Sequence, residues 1–137
     1  HIVVLLQPTA PFRTAADIDG AEREFQSHPD VRSLITYSRV NSQHPNYMYK
    51  KINELMTPLL EQSGVTDRRQ DYPPVLIRNG LVYVSSRAQI SEGPKVYSTR
   101  PIGYEITAIR SSNIDSEEDF LYAEFIAHKS CPIPGTD

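Results

Sequence analysis

The chain has 137 residues, a length that suits one domain better than two domains and a linker. It carries 14 Lys and Arg against 17 Asp and Glu, so its formal charge of -3 leaves no broad basic face for nucleic-acid phosphates. The longest apolar run, Ile2 to Leu6, is much shorter than the ~20 residues that span a membrane. A single cysteine permits no internal disulfide, which is typical of a protein in a reducing compartment. From the charge, the short apolar run and the cysteine count together, we expect a cytoplasmic protein that binds neither nucleic acid nor membrane.

The first 40 residues predict a β-loop-α-β unit. Ile2 to Leu6 is rich in β-branched residues and does not alternate, which is typical of a central strand buried on both faces. Thr14 and Asp17 have the spacing of a capping box at the start of a helix, and Val31 to Val40 is typical of a strand. Ligands gather at the carboxyl ends of strands in such sheets, where Gln7 to Arg13 would lie.

Residues 41–74 have no clear place in a sheet. Polar residues, prolines and aromatic residues follow one another with weak periodicity, and a hairpin is predicted from 47–52 and 55–60. The interleaved apolar side chains argue against disorder. We therefore predict a single α/β domain over 1–137 with an inserted arm at 41–74.

The last part of the chain predicts further short elements. Val75 to Arg78 and Leu81 to Val84 flank Asn79-Gly80, which is the strongest local signal for a two-residue hairpin. The other predicted elements are a helix at 86–90, strand-like pieces at 95–97 and 102–107, and a helix from the capping box of Ser116 and Asp119 to about His128, with Phe120, Ala123 and Ala127 on its apolar face.

Four segments carry polar residues that the local pattern does not explain. They are LLQPTAPFRT at 5–14, RRQDYP at 68–73, RNGLVY at 78–83 and NIDS at 113–116. Together, in this order and spacing, they resemble the acylneuraminate cytidylyltransferase family, the CMP-sialic acid synthetases and relatives that act on other nine-carbon acidic sugars. The resemblance runs over essentially the whole chain. It implies a three-layer Rossmann-like nucleotidyltransferase fold, here incomplete, with 41–74 as a protruding arm that forms a homodimer.

The resemblance also implies a missing part. Members of the family begin with a strand and a Gly-rich basic loop that holds CTP, whereas the 6 glycines of this chain are scattered singly and build no backbone-amide cradle for a triphosphate. We therefore expect this chain to be the carboxy-terminal portion of such an enzyme, inactive by itself.

The reaction implied by the resemblance is attack of the sugar's anomeric hydroxyl on the α-phosphate of CTP, with pyrophosphate leaving. In the family, an Asp-Ile-Asp segment supplies oxygen ligands to Mg²⁺. The matching positions here are Asn113 and Asp115, and an asparagine brings no charge to a metal. The other interpretation of Asp115 is a capping residue of the following helix.

Five residues match the family's substrate-binding positions or can serve there. The resemblance gives contacts with the sugar to Gln7, Asn79 and Tyr83, and it places Arg69 on the arm that reaches the partner subunit's site. Arg13 could pair with a carboxylate through two hydrogen bonds. Structural interpretations are also open. Gln7 could stabilise the turn and Asn79 could be a turn residue, while Tyr83 could be an aromatic side chain on the sheet face and Arg13 a solvated charge.

Two alternatives to a CTP-dependent enzyme for sialic acid-like sugars stay open. One is a nucleotidyltransferase for a different sugar or a different nucleotide, because base selection would lie outside this chain. The other is a non-catalytic sugar-binding or assembly module. Asn113 and the missing glycine-rich loop favour the module.

Overall fold

The computed structural model describes residues 1–40, 42–60 and 72–130. Its strands are β1 (Ile2–Leu5), β2 (Ser33–Arg39), β3 (Tyr49–Ile52), β4 (Leu55–Pro58), β5 (Leu76–Ser86) and β6 (Ile102–Glu105). Its helices are α1 (Ala15–Gln26), α2 (Arg87–Ser91) and α3 (Glu117–Ser130), with short 3-10 turns at Pro45–Tyr47 and Ala108–Arg110. The chain divides into two compact units, one of His1–Ser38 with Arg78–Asp137 and one of Arg39–Ile77.

A mixed sheet forms the centre of the first unit, and the α/β class is confirmed. The strand order is β1-β5-β2-β6, with β1 antiparallel to β5 and β2 parallel to β6. Among the described strands, β1 lies at the edge of the sheet, and Ile2, Val3 and Leu5 are 36%, 42% and 39% exposed. The prediction that Ile2 to Leu6 is a central strand is therefore not confirmed. A run of apolar residues indicates a strand but does not say how many neighbours the strand has.

The predicted hairpin around Asn79-Gly80 is also wrong, because both residues lie inside the long strand β5. Gly80 has a positive φ of 73°. Beside it, the Thr36 hydroxyl accepts a hydrogen bond from the Val82 amide at 3.0 Å and donates to the Val82 carbonyl at 3.2 Å. A left-handed glycine inside a strand is typical of a β-bulge. The turn preference of Asn-Gly is therefore satisfied within the strand.

Helix α1 packs its apolar side on the sheet. The predicted capping box is confirmed, because the Asp17 amide donates to the Thr14 hydroxyl and the Thr14 amide donates to the Asp17 carboxylate at 2.9 Å. A Cβ at Gly20 would overlap the Tyr104 hydroxyl, so glycine allows α1 to approach β6 closely. The buried core consists of Ala10, Ala21, Phe25, Leu34, Leu81, Val82, Val84 and Ile106.

Helix α3 begins at the second predicted capping box. The Ser116 amide donates to Asp119 Oδ2 at 2.9 Å, and the Asp119 amide donates to the Ser116 hydroxyl at 3.2 Å. The predicted apolar face is only partly correct. Ala123 is buried, but Ile126 is the second buried residue of α3, whereas Phe120 and Ala127 are exposed.

The second unit contains the predicted hairpin. Strands β3 and β4 pair in antiparallel register from Tyr49 opposite Pro58 to Ile52 opposite Leu55. Asn53 and Glu54 both have positive φ values, 48° and 68°, as a tight two-residue turn of this kind requires. The apolar side chains of this hairpin are exposed. The assignment of 41–74 as a dimerisation arm stays a prediction.

None of the helices in the described part of the chain is both long enough and apolar enough to cross a membrane.

Candidate functional site

A cleft of about 490 Å³ opens in the first unit beside the end of β1. It is lined by Leu5, Gln7, Arg78, Tyr83, Pro94, Lys95, Val96, Tyr97, Ser98 and Thr99.

Gln7 enters the cleft from the loop that follows β1. The Arg13 guanidinium fastens this loop to β5, because its Nη1 donates to the Gln7 carbonyl at 3.1 Å and to the Leu81 carbonyl at 2.9 Å. Gly80 leaves room for the amide, since a Cβ there would overlap Gln7 Oε1. The bulge in β5 and the clasp by Arg13 together fix where the Gln7 side chain lies.

Two tyrosines form one side of the cleft. Tyr83 is buried, and its ring stacks on Tyr97 with centroids 5.7 Å apart and an interplanar angle of 14°. Arg78 lies on the same assembly, because its Cζ is 5.0 Å from the centre of the Tyr97 ring and its Nη1 donates to the Tyr97 hydroxyl. The three side chains form a layered wall of aromatic surface with one cation at its end.

Residues 94–99, which we call the strap, carry Tyr97 and supply more than half of the residues that line the cleft. The predicted strand at 95–97 is wrong, because the strap is irregular. It is held instead by two buried serines of the sheet. The Ser98 amide donates to the Ser33 hydroxyl at 2.8 Å, the two serine hydroxyls are also bonded to each other, and the Ser85 hydroxyl donates to the Val96 carbonyl.

Replacing Ser33 with alanine is expected to loosen the strap. The change removes two hydrogen bonds to Ser98, which stabilise the folded protein by about 1–2 kcal/mol together. Amide hydrogen exchange at Ser98 should become faster in this variant. Ser91→Ala is the matched control, because that exposed hydroxyl bonds only its own helix. Unchanged protection of Ser98 in Ser33→Ala would contradict this role of the serine.

The cleft is electropositive. Arg78 and Lys95 line it, and no acidic side chain does so among the described residues. Gln7, Ser98 and Thr99 add uncharged hydrogen-bonding groups. Cations without neighbouring carboxylates attract an anionic ligand, and the amide and hydroxyl groups suit a ligand with many hydroxyls.

The cleft brings together Gln7 and Tyr83 of the predicted sugar-binding residues. Asn79 is buried behind it, where its Nδ2 donates to the Ser111 hydroxyl at 2.9 Å and its Oδ1 accepts from the Leu81 amide at 3.3 Å. Arg13 likewise supports the loop and does not line the cleft. Arg69 lies outside the described residues. The substrate contacts of all five residues stay predictions.

The predicted metal ligands Asn113 and Asp115 lie apart from the lining of this cleft. Asn113 Oδ1 accepts from the Thr9 hydroxyl at 2.7 Å, and its Nδ2 donates to Asp115 Oδ2 at 2.7 Å. An amide nitrogen therefore faces the carboxylate where a cation would need oxygen atoms. The described residues contain no cluster of three or more His, Cys, Asp or Glu that could hold a metal ion, and the assignment of Asn113 and Asp115 as Mg²⁺ ligands stays a prediction.

The helix-capping interpretation of Asp115 finds no support in the hydrogen bonds. Its carboxylate accepts from Asn113, and the side chain that accepts from the first turn of α3 is that of Ser116. Asp115 contributes its amide, which donates to Asp119 Oδ2 at 3.1 Å. The exposed carboxylate is therefore oriented by Asn113 and indirectly by Thr9.

Sequence reasoning gave no site role to Arg78, Lys95 or Tyr97. Arg78 and Tyr83 are five positions apart, so in a regular strand their side chains would point to opposite faces. Gly80 lies between them with a positive φ, which interrupts the regular strand geometry, and both side chains line the same cleft. Gly80 is a sequence signal for such an irregularity within a strand, but the pair Asn79-Gly80 is equally typical of a hairpin turn.

Comparison with known proteins supports the family resemblance. N-acylneuraminate cytidylyltransferases of Streptococcus agalactiae serotypes V, III and Ia are each 28% identical to this chain over 127 residues. These matches cover 87% of this chain but 28% of each relative, so the chain spans little more than a quarter of their length. No protein-family model matches the chain. The chain is therefore distantly similar to part of these enzymes.

Proposed function

We propose that the protein containing these residues transfers CMP from CTP to a nine-carbon acidic sugar, with release of pyrophosphate, and that the cleft binds the sugar. The observation that carries the proposal is the composition of the cleft. It combines Gln7 and Tyr83, both at family positions for sugar contacts, with two cations and no carboxylate. The names of the similar proteins support the same reaction.

The residues of the cleft would orient the sugar for reaction. The Gln7 amide can donate to and accept from neighbouring hydroxyls, and the stacked Tyr83 and Tyr97 offer an apolar surface for the sugar's carbon skeleton. In the proposed reaction the anomeric hydroxyl attacks the α-phosphate of CTP. A sugar held in a fixed orientation lowers the entropic cost of reaching the in-line geometry for this attack. Mg²⁺ remains an expectation from the resemblance alone.

The rest of the proposal concerns assembly and compartment. We propose a three-layer Rossmann-like fold for the whole enzyme and a homodimer formed through the arm at 41–74. The exposed apolar side chains of the β3–β4 hairpin support the second point, because Leu55 is 72% and Met56 64% exposed. The cytoplasm is the proposed compartment, since the chain has only one cysteine.

The first test is a titration of N-acetylneuraminate into the protein expressed from its complete coding sequence, followed by a pyrophosphate-release assay with CTP. Gln7→Ala should weaken sugar binding about three- to tenfold, the loss expected for one neutral hydrogen bond. Gln26→Ala is the matched control, because that amide is exposed and bonds Glu22 within α1. If both variants bound N-acetylneuraminate with the affinity of the native protein, the assignment of the cleft as the sugar site would be contradicted.

A non-catalytic sugar-binding module is the second candidate. The observation that favours it is Asn113 itself, because an asparagine brings no charge to a metal at a position where the family has an aspartate. Titration of the sugar without nucleotide, together with the mass in solution, separates the two candidates. Sugar binding without any pyrophosphate release from CTP would support the module and contradict the enzyme.

A further inference from the structure

Arg78 is the cation of the cleft whose orientation the structure fixes. Its guanidinium lies over the Tyr97 ring and donates to the Tyr97 hydroxyl, and Tyr97 is itself stacked on the buried Tyr83. The strap that carries Tyr97 is bonded to the sheet through Ser33 and Ser85. Arg78 is therefore attached to the core through a series of packed rings and hydrogen bonds, although it is exposed.

The guanidinium keeps donors for a ligand. An arginine has five N–H donors, and the structure assigns only one nitrogen, Nη1, to the Tyr97 hydroxyl. No acidic side chain in the described ranges forms an ion pair with Arg78. A cation over an aromatic ring with an unfilled hydrogen-bonding edge is ready to accept a carboxylate through two parallel bonds.

We infer that Arg78 determines the preference of the cleft for an acidic sugar, by binding the sugar's carboxylate through its guanidinium edge while Gln7 and Tyr83 contact the rest of the molecule. This inference rests on the proposed function of the cleft. Lys95 also lines the cleft, but an ammonium group acts as a point charge on a flexible stem and does not match the planar carboxylate. Lys95 would add to the positive potential without setting the orientation of the sugar.

The test compares a charged ligand with a neutral one. Affinities for N-acetylneuraminate and for its uncharged methyl ester are measured by calorimetry on the protein expressed from its complete coding sequence, in native form and as Arg78→Gln, Arg78→Lys and Arg100→Gln. Arg78→Gln should bind the acid about tenfold more weakly, because a charge-assisted pair is roughly twice as strong as a neutral hydrogen bond. Its affinity for the ester should not change.

The two other variants sharpen the result. Arg78→Lys should recover only part of the lost affinity, because it restores the charge without the planar pair of donors. Arg100→Gln removes an exposed cation that does not line the cleft and should bind both ligands as the native protein does.

Each outcome has one meaning. A selective loss for the acid in Arg78→Gln supports the inference. Equal losses of affinity for the acid and the ester would show that Arg78 only supports Tyr97. Unchanged binding of both ligands would show that another group binds the carboxylate. Either result overturns the inference, while the cleft remains a sugar site. Absence of binding by the native protein would overturn the proposed function itself.

Discussion

Asp17→Ala is expected to lower the free energy of unfolding by about 2–4 kcal/mol, the sum of a lost helix cap and a lost charge-assisted hydrogen bond. The Asp17 carboxylate is 6% exposed and has two structural tasks. It accepts from the Thr14 amide in the capping box of α1, and it forms an ion pair with Arg110 from the other end of the chain. The Arg110 side chain is 35% exposed, so water partly compensates its lost partner and the effect stays below that of a fully buried pair.

The same carboxylate makes stability depend on pH in acid. Burial acts to raise the pKa of Asp17, but hydrogen bonds from Arg110 and Thr14 and the charge of Arg110 outweigh burial, so the pKa lies below its ordinary value of 3.8. Because the folded pKa is lower than the unfolded one, the stabilisation is complete above the unfolded value and is lost as pH falls through the folded value. The difference in stability between the native protein and Asp17→Asn should therefore shrink below about pH 4.

Asp19→Ala is the matched control for Asp17→Ala. Asp19 lies on the same helix, is exposed, and makes no ion pair or side-chain hydrogen bond within the described residues. Urea denaturation at neutral pH should show only a small change for this variant. Similar losses in Asp17→Ala and Asp19→Ala at neutral pH would contradict the role assigned to the pair of Asp17 and Arg110.

Local sequence signals predicted the parts of the fold that local interactions determine. Both capping boxes, at Thr14 and Ser116, and the hairpin of β3 and β4 depend on residues within a few positions of one another. The place of β1 beside β5 could not be predicted in this way. It depends on pairing with β5, about 80 positions later in the chain, and the apolar run of β1 is compatible with an edge or a centre.

The candidate site shows the same division. Gln7 and Tyr83 were found through family-like motifs, and the structure brings both to one cleft. Arg78 and Tyr97 were not found, because their meeting depends on the bulge in β5 and on hydrogen bonds from Ser33 and Ser85 that position an irregular strap. Strand alternation read from the sequence places Arg78 and Tyr83 on opposite faces, and only the three-dimensional register corrects this.

Gly80→Ala is expected to lower both stability and sugar affinity. A non-glycine residue at a positive φ such as the 73° of Gly80 is strained by about 1–2 kcal/mol. The added Cβ would also overlap Gln7 Oε1, so the Gln7 amide must leave its position in the cleft. Gly93→Ala is the matched control, because nothing lies within 4 Å of a Cβ built there. Urea denaturation and titration with N-acetylneuraminate measure the two effects.

A double-mutant cycle separates the backbone strain at Gly80 from the overlap with Gln7. In Gln7→Ala the obstructing amide is absent, so adding Gly80→Ala should impose the backbone strain alone and have no further effect on sugar affinity. In the native background the same substitution should weaken sugar binding about as much as Gln7→Ala does, because both remove the same amide from the cleft. If the two substitutions instead weakened binding additively, Gly80 would act on the cleft by some route other than the position of Gln7. Agreement with the cycle would tie the bulge in β5, a feature of the fold, directly to recognition of the sugar.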